Sequence, residues 1–97
     1  MSARVSFVIP HFNRSDLLRA VLASIAAQTL PPLEVVVVDN GSTDDSAEAA
    51  RQGGAKILQM DRNRGFSFAV NRGVEAARGE LVAVVNKIGR ASCRERV

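Results

Sequence analysis

A chain of 97 residues, 46% hydrophobic and 24% charged with no low-complexity stretch, suits one small globular domain and argues against a disordered one. Its longest apolar runs, Val35–Val38 and Leu81–Val85, fall far short of the ~18 residues that span a bilayer, and no signal-peptide h-region opens the chain, so a cytoplasmic protein is expected. The net charge of +3 comes from Lys87, Arg90, Arg94 and Arg96 against Glu95; residues 1–86 carry nine basic and nine acidic side chains, with no basic stripe and interleaved aromatics to bind nucleic acid.

Strand and helix patterns alternate along residues 1–86. Arg4–Ile9 is a β-branched run that Pro10 is expected to end. Asn13, Ser15 and Asp16 are candidate caps for a helix over 14–28, in which Leu17, Leu18, Val21, Leu22 and Ile25 share one face. Pro31 and Pro32 follow it, and Leu33–Asp39, with four consecutive valines, reads as a strand buried on both faces. Gly41–Asp44 turns the chain into a short alanine-rich helix that runs to Gly53, and Ala55–Met60 reads as a third strand. A further helix is expected over 66–78, with Phe66 and Phe68 as packing residues and Gly79 ending it at positive φ. Leu81–Val85 makes a fourth strand. The β-α-β-α-β-α-β order predicts an α/β fold with a Rossmann-like parallel sheet and helices on its faces.

In such sheets, ligands bind beyond the carboxyl ends of the strands. Polar residues crowd those places: Pro10-His11-Phe12-Asn13-Arg14, Asp39 through Asp44, Asp61 through Gly65, and Asn86. The first loop carries no G-x-G-x-x-G, so a dinucleotide fold is not indicated, and no P-loop occurs. Phosphates would have to be held another way, and a divalent metal on carboxylates is the usual alternative.

Two stretches, VSFVIPHFNRSDLLRAVLASIAAQTLPPLEVVVVDNGSTDDS and NRGFSFAVNRGVEAARGELVAVVN, resemble the opening of family 2 glycosyltransferases. The resemblance covers residues 4–86 in order and spacing. It implies the nucleotide-binding half of a GT-A domain over 1–86 and a strand order of 3-2-1-4, which leaves Leu81–Val85 at an open edge. Each matched position receives a role from it. Pro10, His11 and Phe12 would cup the nucleobase, with Asn13 beside them, and Asp39 would accept hydrogen bonds from base or ribose. Asn40, Ser42 and Asp44 would shape that loop, with Gly41 allowing its tight path. Asn63, Arg64 and Gly65 would line the phosphate side, Asn71 and Arg72 would reach in from the third helix, and Asn86 would begin the D-x-D-like cluster that binds Mg²⁺ or Mn²⁺. The implied reaction moves a sugar from a nucleoside diphosphate sugar to a hydroxyl of a glycan, lipid or polysaccharide. That implies a part in building the cell envelope, at the inner face of the membrane as a peripheral protein. No catalytic base can be named in this stretch.

Simpler roles stay open for several of these residues. Asp39 could cap the following turn, Phe12 could be core, and His11 could lie on the surface. Arg64 and Arg72 could belong to solvated faces, whereas Asn71 sits mid-helix, where its type is unfavourable without compensation. Two other functions stay open as well: a nucleotidyltransferase of similar topology, and a receiver-like interaction module. The latter needs an acidic pair after the first strand, where only Asp16 is found.

Residues 87–97, KIGRASCRERV, break the hydrophobic pattern and hold the sole cysteine, Cys93, which has no internal disulfide partner. Ile88–Val97 matches a sequencing adapter translated in frame (ATC GGA AGA GCG TCG TGT AGG GAA AGA GTG), so 87–97 is expected to be a non-native tail and the native frame to continue with a second carboxylate-bearing stretch. Amplification of the locus across codon 86 with a different library chemistry tests this. Recovery of Lys87–Val97 followed by a stop codon would contradict it.

Overall fold

The computed structural model describes residues 4–29, 31–86 and 90–95. Five strands and three helices follow in the order β1 (Val5–His11), α1 (Ser15–Ala26), β2 (Glu34–Asp39), α2 (Ser46–Gln52), β3 (Lys56–Gln59), α3 (Phe66–Ala76), β4 (Leu81–Asn86) and β5 (Arg90–Glu95). They form one sheet in the order β3-β2-β1-β4-β5, in which β3, β2, β1 and β4 are parallel.

The valine run explains the layering. Val37 packs with Ile9 against Leu18, Leu22 and Ile25 of α1 and Ala49 and Ala50 of α2. Val36 and Val38 face the other way with Val8 and Val82, against Ala69 and Ala77 at the α3 side. Side chains alternate across a strand, so a central strand with helices on both faces must be apolar at every position.

Three expectations are corrected. Pro10 does not end β1, which continues to His11 and pairs in register with β2 through Pro10↔Val38 and His11↔Asp39. Arg4 and Val5 show the alternation: the Arg4 carbonyl accepts from Leu81 of β4, and that of Val5 accepts from Leu33 on the β2 side. Even-numbered Pro10 therefore directs its missing donor toward β4, where pairing has already stopped at Val8↔Val84. Gly79 is not among the positive-φ glycines. A Cβ there would lie 2.7 Å from the Arg4 carbonyl oxygen and from Ser6 N and Oγ, so the position requires glycine for close approach to β1. Finally, β4 is not an open edge: β5 pairs with it antiparallel from Leu81↔Glu95 to Asn86↔Arg90. The unpaired groups of an edge strand are a template for whatever extended segment can reach it, and an antiparallel partner needs only a short connection.

At the amino end of the sheet, one carboxylate ties four segments together. Glu34, with a side chain 6% exposed, accepts from Ser6 Oγ at 2.6 Å, the Arg78 backbone N–H at 2.5 Å and Lys56 Nζ at 2.8 Å. The Ser6 hydroxyl oxygen in turn accepts from Gly79 N–H at 2.8 Å. Burial pushes the Glu34 carboxyl up, but the hydrogen bonds from Lys56, Ser6 and Arg78 outweigh it and bring it from 4.5 down to about 2. A carboxyl lowered by folding binds its proton first in the unfolded chain, so its stabilisation is present above pH 4.5 and is lost as pH falls toward 2. Urea unfolding should show this loss at about 2–3 kcal/mol. Glu34→Gln should lower stability at pH 7 and flatten the acid dependence; an unchanged acid profile would contradict the role.

Candidate functional site

Three loops leave the carboxyl ends of β1, β2 and β3, and their side chains are bonded to one another's backbones. Asn13 adopts the left-handed conformation at φ 49°, which asparagine tolerates better than most residues. Its N–H donates to Ser42 Oγ at 2.9 Å, and its Oδ1 accepts from Thr43 N–H at 2.8 Å. Ser42 is itself held by Asp39, whose Oδ1 accepts both the Ser42 N–H at 3.1 Å and the Ser42 hydroxyl. Asp39 is buried at 2% exposure, and all its hydrogen bonds fall on Oδ1. Among the described residues no buried side-chain oxygen lacks a partner, so Oδ2 reaches solvent.

Asn40 joins the outer loops to the middle one. Its N–H donates to the His11 carbonyl at 2.9 Å, its Oδ1 accepts from Arg64 N–H at 3.3 Å, and its Nδ2 donates to the Gly65 carbonyl at 3.4 Å. Gly41, at φ 85°, passes so close to the third loop that a Cβ would meet Arg62 Cα at 2.8 Å. Asn63 Oδ1 accepts from Gly65 N–H at 2.8 Å, which tightens the entry into α3.

His11 is buried, and its Nε2 lies 2.6 Å from Ser46 Oγ at the start of α2. The Ser46 hydroxyl donates its one proton to Asp44, and the same Nε2 of His11 lies 3.5 Å from the Arg14 backbone N–H. Asp44 Oδ2 accepts from Ser15 N–H at 3.2 Å and so satisfies the first turn of α1, for which no side chain of the expected caps does so. The hydrogen bond from Ser46 holds the Asp44 carboxyl below the usual carboxylate range.

Between the first and third loops lies a cleft of about 190 Å³, lined by Pro10, His11, Phe12, Asn40, Asn63 and Phe66. Five of these residues are candidates read from the sequence. Asn13, Asp39, Ser42 and Gly65 build the loops around the cleft without lining it. Arg64 is turned to Asp61, with N···O distances of 3.1 and 3.3 Å, and its guanidinium lies over the Phe68 ring at 5.4 Å. Asn71 and Arg72 are exposed on α3 outside the cleft lining, and Arg72 pairs with Glu75 at 3.3 Å. Gly73 beside them has a packing reason: a Cβ would meet Val8 Cγ1 at 2.3 Å. The side chain of Asn86 and residues 87–89 lie outside the described residues. Among the described residues no group of three or more His, Cys, Asp or Glu could hold a metal, so these residues do not by themselves fit a bound cation.

Phe66 and Phe68 are both expected to pack and both are exposed, Phe68 at 40% under the Arg64 guanidinium; Phe66 departs further. It is 58% exposed rather than packed, although it continues the stripe of Ala69, Val70 and Gly73 that faces the sheet. The stripe runs one turn past the strand ends, so its first member meets the cleft instead of the core. That overshoot is visible in the spacing once Gly65 is recognised as the residue before the helix.

A Rossmann-like parallel sheet with a cleft at its carboxyl end places the chain in the open-sheet α/β class, in which ligands bind at that end. Residues 6–87 match glycosyl transferase family 2, and the chain belongs to that family. It is 37% identical over 87 residues to the uncharacterized glycosyltransferase YibD of Escherichia coli, covering 86% of this chain and 25% of that protein. Among solved structures, the mannosyltransferase PcManGT of Pyrobaculum calidifontis, in complex with GDP-Man and Mn²⁺, superposes with a TM-score of 0.82 at 30% identity, covering 90% of this chain and 28% of that one. Glucosyl-3-phosphoglycerate synthase of Mycobacterium tuberculosis, in complex with Mn²⁺, UDP and glucosyl-3-phosphoglycerate, does so with a TM-score of 0.75 at 26% identity, covering 87% and 33%. The chain thus spans about a quarter to a third of the length of these proteins. The likenesses confirm the GT-A fold and favour neither a nucleotidyltransferase nor a receiver-like module.

Proposed function

We propose that this chain forms the donor-binding part of a glycosyltransferase that moves a sugar from a nucleoside diphosphate sugar to an acceptor hydroxyl. The observation that carries the reading is the convergence of three cross-bonded loops around one cleft at the carboxyl ends of parallel strands. In this reading the base enters the cleft over Pro10, and Asp39 Oδ2, the open oxygen of an otherwise anchored carboxylate, accepts a hydrogen bond from base or ribose. The diphosphate lies toward Asn63, Gly65 and the start of α3, which has no side-chain cap hydrogen bond and so leaves its positive end open. Arg64 can reach an anion there only by leaving Asp61.

The donor class and the divalent metal, Mg²⁺ or Mn²⁺, rest on the likeness to the GDP-Man and UDP complexes, and Asn86 would stand at the edge of the metal's carboxylate cluster. A metal there would neutralise charge on the leaving diphosphate. Glycan or lipid acceptors, a role in envelope polymers and peripheral attachment to a membrane belong to the same proposal. No helix of the described residues is long and apolar enough to cross a membrane.

Asp39→Asn separates the two jobs of this carboxylate. The amide keeps an acceptor for Ser42 but presents a donor where Oδ2 stood, so the loop should hold while nucleotide binding weakens by about 1–3 kcal/mol. Titration calorimetry with UDP and GDP measures this. Equal affinity for the variant and the parent chain would remove Asp39 from the site.

A further inference from the structure

The large apolar side chains exposed among the described residues are Phe12, Leu33, Phe66 and Phe68. Phe68 carries the Arg64 guanidinium on its face, and Leu33 lies at the other end of the sheet, beside Glu34. Phe12, 43% exposed, and Phe66, 58% exposed, share the cleft at the carboxyl end. No ring or cation among the described residues is stacked on either.

Resting on the reading of the cleft as a nucleotide site, we propose that Phe66 is the second wall of the base slot, so that a nucleobase is held by its two faces between Phe12 and Phe66. The size of the cleft supports one ring system rather than a whole donor. At about 190 Å³ it falls below the ~300–1,000 Å³ of sites that engulf a complete small ligand. The anchoring of Phe66 supports a fixed wall. Gly65 before it turns the chain at φ 91°, and the Asn40 side chain clamps the Arg64 N–H and the Gly65 carbonyl to the end of β2.

Phe66 does not read the edge of a base. The Asn40 amide is held at both ends by that clamp and Asn63 Oδ1 takes the Gly65 N–H, while Asn63 Nδ2 and the Asp39 carboxylate are left for polar contacts with base or ribose. An aromatic wall meets ring faces, which every base has, so Phe66 serves affinity and positioning for pyrimidine and purine diphosphates alike.

The test uses the 97-residue chain and its Phe66→Ala, Phe66→Leu and Phe66→Tyr variants, titrated calorimetrically with UDP and with GDP. Because Phe66 is mostly exposed, all three variants should melt close to the parent chain. Phe66→Ala should weaken both nucleotides by about tenfold or more. Phe66→Leu, which keeps apolar bulk without a flat ring, should not restore the loss, and Phe66→Tyr should. Unchanged affinity in Phe66→Ala, or full affinity in Phe66→Leu, would overturn the assignment while leaving the nucleotide site in place. A parent chain that binds neither UDP nor GDP would overturn both.

Discussion

Because β1, β2 and β3 run parallel and in register, they stop along one line across the sheet, with His11 beside Asp39 and Asp39 beside Gln59. Every other feature of the site follows from that alignment. Three chain reversals must begin at the same level, close enough for their polar groups to bond one another. The structure resolves this by making each loop satisfy its neighbour: Asn13 serves the second loop, Asn40 the third, and Asp44 the first turn of α1. An unsatisfied buried polar group costs about 1–3 kcal/mol, so the buried His11, Asp39, Asn40 and Ser46 have a structural role before any ligand is considered.

That double duty bears on Asp39 in particular. Its Oδ1 caps the turn at Ser42, and its Oδ2 takes no hydrogen bond from the described residues. The choice between a turn cap and a ligand residue is therefore not exclusive: one oxygen fixes the carboxylate so that the other is presented in a constant position. His11 shows the same logic in a buried setting, where its bond to Ser46 attaches the end of β1 to the start of α2. Its backbone carbonyl meanwhile receives Asn40.

The parallel sheet is legible in the sequence because burial on both faces forces an unbroken apolar strand such as Val35–Val38, and because short α/β links leave few topologies. The family motifs also locate the loops correctly. What escapes is whatever depends on direction or distance rather than residue type. Pro10 looks like a strand terminator until the side to which its absent donor points is known. Gly79 looks like a helix-ending turn until its contact with Arg4 and Ser6 is seen. Phe66 belongs to an apolar stripe by spacing, and only the relative lengths of α3 and the strands place it beyond the core. The pairing of β5 with β4 was not anticipated, because residues outside the hydrophobic pattern can still supply backbone hydrogen bonds.

The central claim is that the carboxyl end of this sheet receives a nucleoside diphosphate. Backbone amide shifts of the isotope-labelled chain, followed by NMR during titration with UDP in Mg²⁺ buffer, test it most directly. The account predicts saturable shifts concentrated at residues 11–14, 39–44 and 61–66, with little change at Ala23, Ala26 and Gly53 in the groove between α1 and α2. Shifts centred on that groove, or none in the three loops at saturating nucleotide, would contradict it.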